Sequence, residues 1–196
     1  MQIIGLVGNK GVGKDTVAKY FIDEEYNKVA FADTLKESLK VLFNWDDELH
    51  DQKKKEMEDE KWGVSPRTML QLLGTDFLRN YCKKYLDTSI VYKGGKETFS
   101  YHIKKLFLDI REDIEKGKKF IFSDIRFQDE LNFVKLIGGT IFKIERNVGK
   151  NKFSSHESEM NIDSLERIDY TIENNSTINN LYKKLSIITE MEVLYK

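Results

Sequence analysis

Residues 8 to 16 read Gly8-Asn9-Lys10-Gly11-Val12-Gly13-Lys14-Asp15-Thr16 and follow directly on the apolar run Met1 to Val7. A short buried strand thus enters a glycine-rich turn that opens a helix, which is the arrangement of a phosphate cradle. The glycines let successive backbone N–H groups face one concavity, a helix beginning near Gly13 presents its positive dipole end, and Lys14 supplies a mobile cation for outer phosphates. The expected ligand is a nucleoside triphosphate held by Gly8 through Thr16; the bland alternative is a glycine-rich turn with a solvated Lys14. The spacing follows G-x-x-x-x-G-K-[ST] except at its last position, where Asp15 stands and the hydroxyl arrives one residue later at Thr16. A carboxylate beside transferring phosphates is repulsive unless a metal or an acceptor hydroxyl uses it, so Asp15 and Thr16 are candidate metal contacts. In the alternative, Asp15 is a first-turn acid that favours the helix dipole by about 0.3–1 kcal/mol.

Phosphoryl transfer asks for positioned cations, a divalent metal and excluded water rather than a covalent nucleophile. Asp124 ends the run Lys118 to Asp124 and is a candidate to hold the metal through water, although acids at strand ends also cap the next helix. Arg126 lies two residues on, aimed by strand alternation in broadly the same direction, where a guanidinium can grip a phosphate bidentately or pair with Asp129 or Glu130. Arg67 lines a helix face with Gln71 and Gly74. Arg79 is too far along that helix to share a turn with Arg67, and Arg67 is the expected phosphate contact. The polar stretch Arg146 to Glu159 carries Arg146, Lys150, Lys152 and His156 and reads as a lid, with a solvated loop as the alternative. Closure of such a lid delivers a cation and expels water, and arginines so delivered contribute roughly 10³–10⁵ in rate. His156 has no cysteine or histidine partner at metal-ligand spacing, so a zinc site is not expected. Lys14, Asp15, Arg126 and Arg146 are the candidate catalytic residues.

These groups need strands and helices to position them. Val17, Ala18, Phe21 and Ile22 recur at helical spacing, and Val29 to Ala32 is a brief apolar run suited to a second buried strand. Asp33 and Thr34 can cap a helix carrying Leu35, Leu39, Leu42 and Phe43. Asp46 to Lys61 is densely charged, with Leu49 and Met57 as isolated apolar points, and reads as a solvated helix or mobile insertion. Ser65-Pro66 is the strongest helix start in the chain and predicts a long helix with Met69, Leu70, Leu73, Phe77 and Leu78 as its apolar stripe. Residues 87 to 100 contain Lys93-Gly94-Gly95-Lys96 and read as a surface loop. A helix from Tyr101 to Lys116 ends at Gly117, and Lys118 to Asp124 is an interior strand whose carboxyl end points toward the crevice of a parallel sheet. A helix from about Phe127 to Ile137, strands at Thr140 to Glu145 and Ile168 to Ile172, and a helix at Thr177 to Ile188 complete the alternation.

With 196 residues and 40% hydrophobic content, one sizeable core and a single domain are expected. The 32 basic and 33 acidic side chains leave a net charge of −1, which gives no general attraction to a polyanion and argues against a nucleic-acid partner. Cys82 is the single cysteine, which excludes an intramolecular disulfide and fits a reducing compartment. No stretch approaches the roughly 20 apolar residues of a membrane span, and no basic leader precedes the first strand, so a cytoplasmic protein without a membrane partner is expected.

Six pieces occur in order: G-N-K-G-V-G-K-D-T at 8 to 16, F-A-D-T-L-K at 31 to 36, S-P-R-T-M-L-Q-L-L-G-T-D-F-L-R at 65 to 79, S-D-I-R-F-Q-D-E at 123 to 130, G-G-T-I-F-K-I-E-R at 138 to 146, and S-H-E-S-E at 155 to 159. Together they make the chain resemble the phage and viral deoxynucleoside monophosphate kinases, within the nucleoside monophosphate kinase family of P-loop proteins. The resemblance implies an α/β, three-layer P-loop nucleoside-kinase fold with a central five-stranded parallel sheet flanked by helices, acceptor-binding helices within about residues 33 to 100, and a lid at about 146 to 159. It implies ATP and Mg²⁺, and a small-molecule deoxynucleoside monophosphate converted to the diphosphate for deoxynucleotide supply. In that pattern Lys14 serves the donor phosphates, and Asp15 and Thr16 lie near the metal and phosphoryl group. Asp33 and Lys36 face the acceptor side, Arg67, Gln71 and Arg126 hold the acceptor, and Arg146 belongs to the lid. A viral setting implies the host cytoplasm, and a homodimer is compatible with the class. Thr34 departs from the proline of F-A-D-P-L-K, which removes no functional group.

Two other readings stand beside this one. The same scaffold serves dephospho-coenzyme A kinase or another small-molecule kinase, since the cradle sets the donor and not the acceptor. An ATP-binding switch protein is the non-enzyme reading. Guanine-specific switching is disfavoured because no N-K-x-D segment follows the sheet.

Overall fold

A computed structural model describes residues 1–147 and 162–194. These residues divide into two compact units, Met1–Ala30 with Ile110–Lys196, and Phe31–Asp109.

The first unit is built on five parallel strands, β1 (Ile3–Val7), β2 (Asn27–Val29), β5 (Phe120–Ile125), β6 (Thr140–Glu145) and β7 (Tyr170–Glu173), in the order β2-β5-β1-β6-β7. All five residues of β1 are buried, as a central parallel strand covered on both faces requires. Alternation sends Ile4 and Leu6 to one face, where helix α1 (Lys14–Asp23) and the final helix α7 (Ile178–Leu194) cover them through Val17, Phe21, Leu181 and Leu185. On the opposite face, helix α6 (Gln128–Leu136) packs Phe133 edge-on against Phe122 of β5, and Val134 against the space that the missing Gly5 side chain leaves. The unit is therefore the expected three-layer α/β arrangement around a five-stranded parallel sheet.

One strand boundary differs from expectation. The second strand is Asn27–Val29, not Val29 to Ala32, because pairing selects the register: Asn27, Lys28 and Val29 lie opposite Phe120, Ile121 and Phe122, and the Asn27 N–H donates to the Lys119 carbonyl at 2.9 Å. An edge strand needs few apolar residues, so its sequence carries a weak signal.

The second unit is mostly helical. Helix α2 (Asp33–Phe43) starts with Ala32 at the N-cap, so Asp33 lies in the first turn rather than capping it. The charged stretch Asp46 to Lys61 is more organised than a solvated helix or mobile insertion. It forms the short helix α3 (Asp47–His50) and a 3₁₀ turn (Lys54–Glu56), pinned by the buried side chains of Trp45 and Leu49. The Asp59 carboxylate accepts from Trp45 Nε1 at 2.8 Å and from the backbone N–H groups of Lys61 and Trp62 at 2.9 and 3.1 Å. The Trp45 hydrogen bond holds this carboxyl below its ordinary range.

The helix after Ser65-Pro66 forms, with the Ser65 hydroxyl accepting from the Thr68 N–H at 3.2 Å and Pro66 at its first position. It runs as α4 (Pro66–Gln71), then as a π-helical stretch (Leu72–Tyr81), and then as a 3₁₀ turn (Cys82–Lys84). The wider turn changes which residues share a face, so Phe77 is 49% exposed instead of completing the apolar stripe, while Arg79 is buried, with 8% of its surface exposed. Residues 87 to 100 are not simply a loop. They form a hairpin of β3 (Ser89–Tyr92) and β4 (Gly95–Thr98), with Lys93 and Gly94 both at positive φ, 46° and 82°, as a tight two-residue connection needs. Ile90 and Tyr92 are buried while Val91 points outward. Helix α5 (Tyr101–Glu115) follows and ends before Gly117, as expected.

Candidate active site

The carboxyl end of β1 delivers the chain into the cradle. Gly8, Gly11 and Gly13 have φ of 151°, 83° and 105°, the last being the N-cap of α1. The conformation at Gly13 is strained for any L side chain, and a Cβ there would collide with the Asn174 amide. The cradle is open to a ligand at Lys10 and Gly11, both exposed, while Val12 is buried beneath it. Lys14 folds back over the loop, its Nζ donating to the carbonyls of Gly8 at 2.6 Å and Asn9 at 3.0 Å.

Asp15 occupies the first turn of α1 with its side chain 95% exposed, 3.5 Å from Lys28 Nζ on β2, and Thr16 is half-buried behind it. Asp124, also half-buried, is the penultimate residue of β5. Because Val7 pairs with Ile125, Asp124 stands at the same end of the sheet as the cradle. The candidate donors carried by these elements are two carboxylates and a hydroxyl. Such a hard oxygen set suits Mg²⁺, which takes one or two protein carboxylates, keeps several waters and shares phosphate oxygens. Among the described residues, no group of three or more His, Cys, Asp or Glu side chains could hold a metal.

Arg126 is exposed just beyond β5, and its backbone N–H donates to Glu130 Oε2 at 2.8 Å. The same oxygen accepts from the Phe127 N–H at 3.2 Å. Buried Glu130 thus fixes the turn that presents the Arg126 guanidinium. Arg146 is exposed at the first position past β6, and the next residue, Asn147, donates its N–H to Asn175 Oδ1 at 2.7 Å. The rest of the expected lid, including Lys150, Lys152 and His156, lies outside the described residues.

Of the expected acceptor contacts, Asp33, Lys36, Arg67 and Gln71 belong to the second unit and Arg126 to the first. Lys36 and Asp33 form an ion pair at 3.5 Å across the first turn of α2. Arg67, one residue after Pro66, donates from Nε to Glu56 Oε1 at 2.7 Å, and Gln71 is half-buried at the last position of α4. The ion pair with Glu56 ties the start of α4 to the charged insertion. Arg79, placed second to Arg67 on sequence grounds, is the more buried of the two.

Asn174 was not apparent from sequence reasoning. It follows β7 and is buried; its Nδ2 donates to the Val12 carbonyl at 2.9 Å and its backbone N–H to the Glu145 carbonyl at 2.7 Å. The available signal was a pair of polar residues, Asn174-Asn175, at the carboxyl end of a parallel strand, where such sheets place their ligands.

Comparison with known proteins bears on this geometry. Residues 48–185 match the family model described as deoxynucleotide monophosphate kinase. A protein of Acanthamoeba polyphaga mimivirus, named provisionally as a deoxynucleotide monophosphate kinase, is 38% identical over 189 residues, with 94% of each chain covered. Among solved structures, the chain is similar to TT1252 from Thermus thermophilus, at 17% identity and a TM-score of 0.49 over 97% of each chain. It is also similar to the dephospho-CoA kinase from Campylobacter jejuni, at 14% identity and a TM-score of 0.45 over 96% of each chain.

Proposed function

The chain belongs to the deoxynucleotide monophosphate kinase family and is a phosphotransferase, and on that premise we propose that it transfers the γ-phosphoryl group of ATP to a deoxynucleoside 5′-monophosphate, giving the diphosphate for deoxynucleotide supply. The observation that carries the donor half is the cradle itself, with positive φ at Gly8, Gly11 and Gly13 and a lysine poised on its rim. In this reading the loop N–H groups and the amino end of α1 bind the donor phosphates. Lys14 exchanges its hydrogen bonds to the Gly8 and Asn9 carbonyls for phosphate oxygens. As the bond to the leaving oxygen breaks, its electron pair and the negative charge build on that oxygen, and Lys14, in contact with the outer phosphates, stabilises it.

Mg²⁺, when bound, neutralises phosphate charge and orients the donor. Thr16, Asp15 and Asp124 are the residues that would hold it, directly or through water. Asp33, Lys36, Arg67, Gln71 and Arg126 bind the acceptor, with Arg126 turned to the phosphate by the Glu130 cap. Arg146, at the root of the expected lid, brings a further cation to the reaction. The whole chain acts as one kinase domain, supplied with ATP in the cytoplasm. No helix among the described residues is long and apolar enough to cross a membrane.

A coupled ADP-release assay with ATP and Mg²⁺ against a panel of deoxy- and ribonucleoside monophosphates and dephospho-coenzyme A tests the proposal. Selective deoxynucleoside diphosphate formation, confirmed by chromatography, is the expected result. Turnover confined to dephospho-coenzyme A, or ATP binding with no acceptor turnover, would reject it.

A further inference from the structure

We propose that Asn174 is a positioning residue that sets the orientation of the Val12–Gly13 peptide in the phosphate cradle, and so controls affinity for the phosphate chain independently of the nucleoside. The inference deepens the donor half of the proposed function and rests on it.

Three contacts converge on this residue. Its Nδ2 donates to the Val12 carbonyl at 2.9 Å, across 162 residues of sequence. Its own backbone is keyed to β6 through the 2.7 Å hydrogen bond from its N–H to the Glu145 carbonyl, so the amide is presented from a strand end rather than from a free loop. Its amide also lies against the site where Gly13 lacks a Cβ. A trans peptide is planar, with its C=O and N–H pointing in opposite directions, so fixing the Val12 carbonyl toward Asn174 fixes the Gly13 N–H away from it. The Gly13 carbonyl is engaged in turn, accepting from the Val17 N–H at 3.1 Å in the first turn of α1. The N–H of Gly13 is therefore held between two fixed neighbours and aimed before any ligand arrives. A donor aimed in advance adds more to anion binding than one that must reorient, because the ordering cost has already been met in folding. Without the Asn174 amide, the Val12–Gly13 peptide loses its restraint on the Val12 side, and glycine at φ 105° offers little resistance to its reorientation.

The test is calorimetric titration of wild type, Asn174→Asp and Asn174→Ala with inorganic triphosphate, and separately with adenosine, alongside thermal unfolding. Asn174→Asp keeps the shape and removes the donor; Asn174→Ala removes both. Triphosphate affinity should fall by about tenfold or more in each, the scale of one misdirected hydrogen bond to a charged ligand, while adenosine affinity stays within about twofold. The aspartic acid regains an O–H donor when protonated, so its deficit relative to wild type at the same pH should narrow as pH falls. Triphosphate affinity within about twofold of wild type in a folded variant would overturn the inference. So would a parallel loss of adenosine binding, or a deficit indifferent to pH. A wild type that binds triphosphate and phosphorylates no deoxynucleoside monophosphate would instead overturn the acceptor assignment and leave the clamp standing.

Discussion

Lys14 and Arg126 carry the sharpest tests because the structure defines what holds the Lys14 ammonium and the Arg126 backbone. Lys14 is held over its own loop by two carbonyls at 2.6 and 3.0 Å, and neither bond joins separate elements of the fold. Lys14→Ala should therefore remove turnover while leaving the unfolding midpoint nearly unchanged; near-normal ADP release would exclude the cradle from the mechanism. The backbone of Arg126 is fixed by Glu130, so truncating its side chain leaves the turn intact. Arg126→Ala should lower kcat/KM for the acceptor by about tenfold or more, the scale of a lost charge-assisted hydrogen bond of 1.5–3 kcal/mol. An unchanged kcat/KM would reassign the guanidinium to structure.

At the scale of elements, local signals succeed where the chain's own chemistry decides the outcome. Ser65 caps the helix that begins at Pro66 because a hydroxyl accepting the Thr68 N–H needs only three residues of chain. Ser65→Ala should lower unfolding free energy by about 0.5–2 kcal/mol, measured by denaturant titration with unchanged m-value. A cost near zero would show that Pro66 alone defines the helix start. Signals fail where partners far along the chain decide. The π-helical turn at Leu72–Tyr81 puts Phe77 outside and Arg79 inside, against the 3.6-residue count that places Phe77 on the apolar stripe. The hairpin at Ser89–Thr98 has only four residues per strand, too few for its alternation to stand out beside Lys93-Gly94-Gly95-Lys96. Just before the charged insertion, Trp45 is the buried anchor that the count of charges concealed.

On the scale of the whole molecule, the first unit is closed by contacts among distant segments, and one of them makes stability depend on alkaline pH. The Tyr26 hydroxyl donates to the Met1 carbonyl at 2.6 Å, and burial, with the nearby Glu24 carboxylate, pushes the phenol up to about 12. An unfolded tyrosine ionises near 10, so above that pH the unfolded chain holds fewer protons than the folded one. The contribution of Tyr26 is therefore complete below pH 10 and is lost as pH rises through about 12. Denaturant titrations should show stability falling over that interval, and Tyr26→Phe should make the fall shallower; an identical slope would remove Tyr26 from the account. Tyr20 and Tyr170 are raised in the same direction, Tyr20 chiefly by burial and Tyr170 by its hydrogen bond to Glu192, so a residual slope is expected. The sequence alone determined the glycine-rich turn between β1 and α1, the α/β alternation, the limits of β6, the cap at Ser65 and the acid at the end of β5, because spacing, glycine placement and capping act within a few residues. Only the tertiary structure decided the strand order β2-β5-β1-β6-β7, the register of β2, the π-helical face and the grip of Asn174 on Val12. Each of these depends on which distant surfaces bury one another, and short-range periodicity carries no record of that.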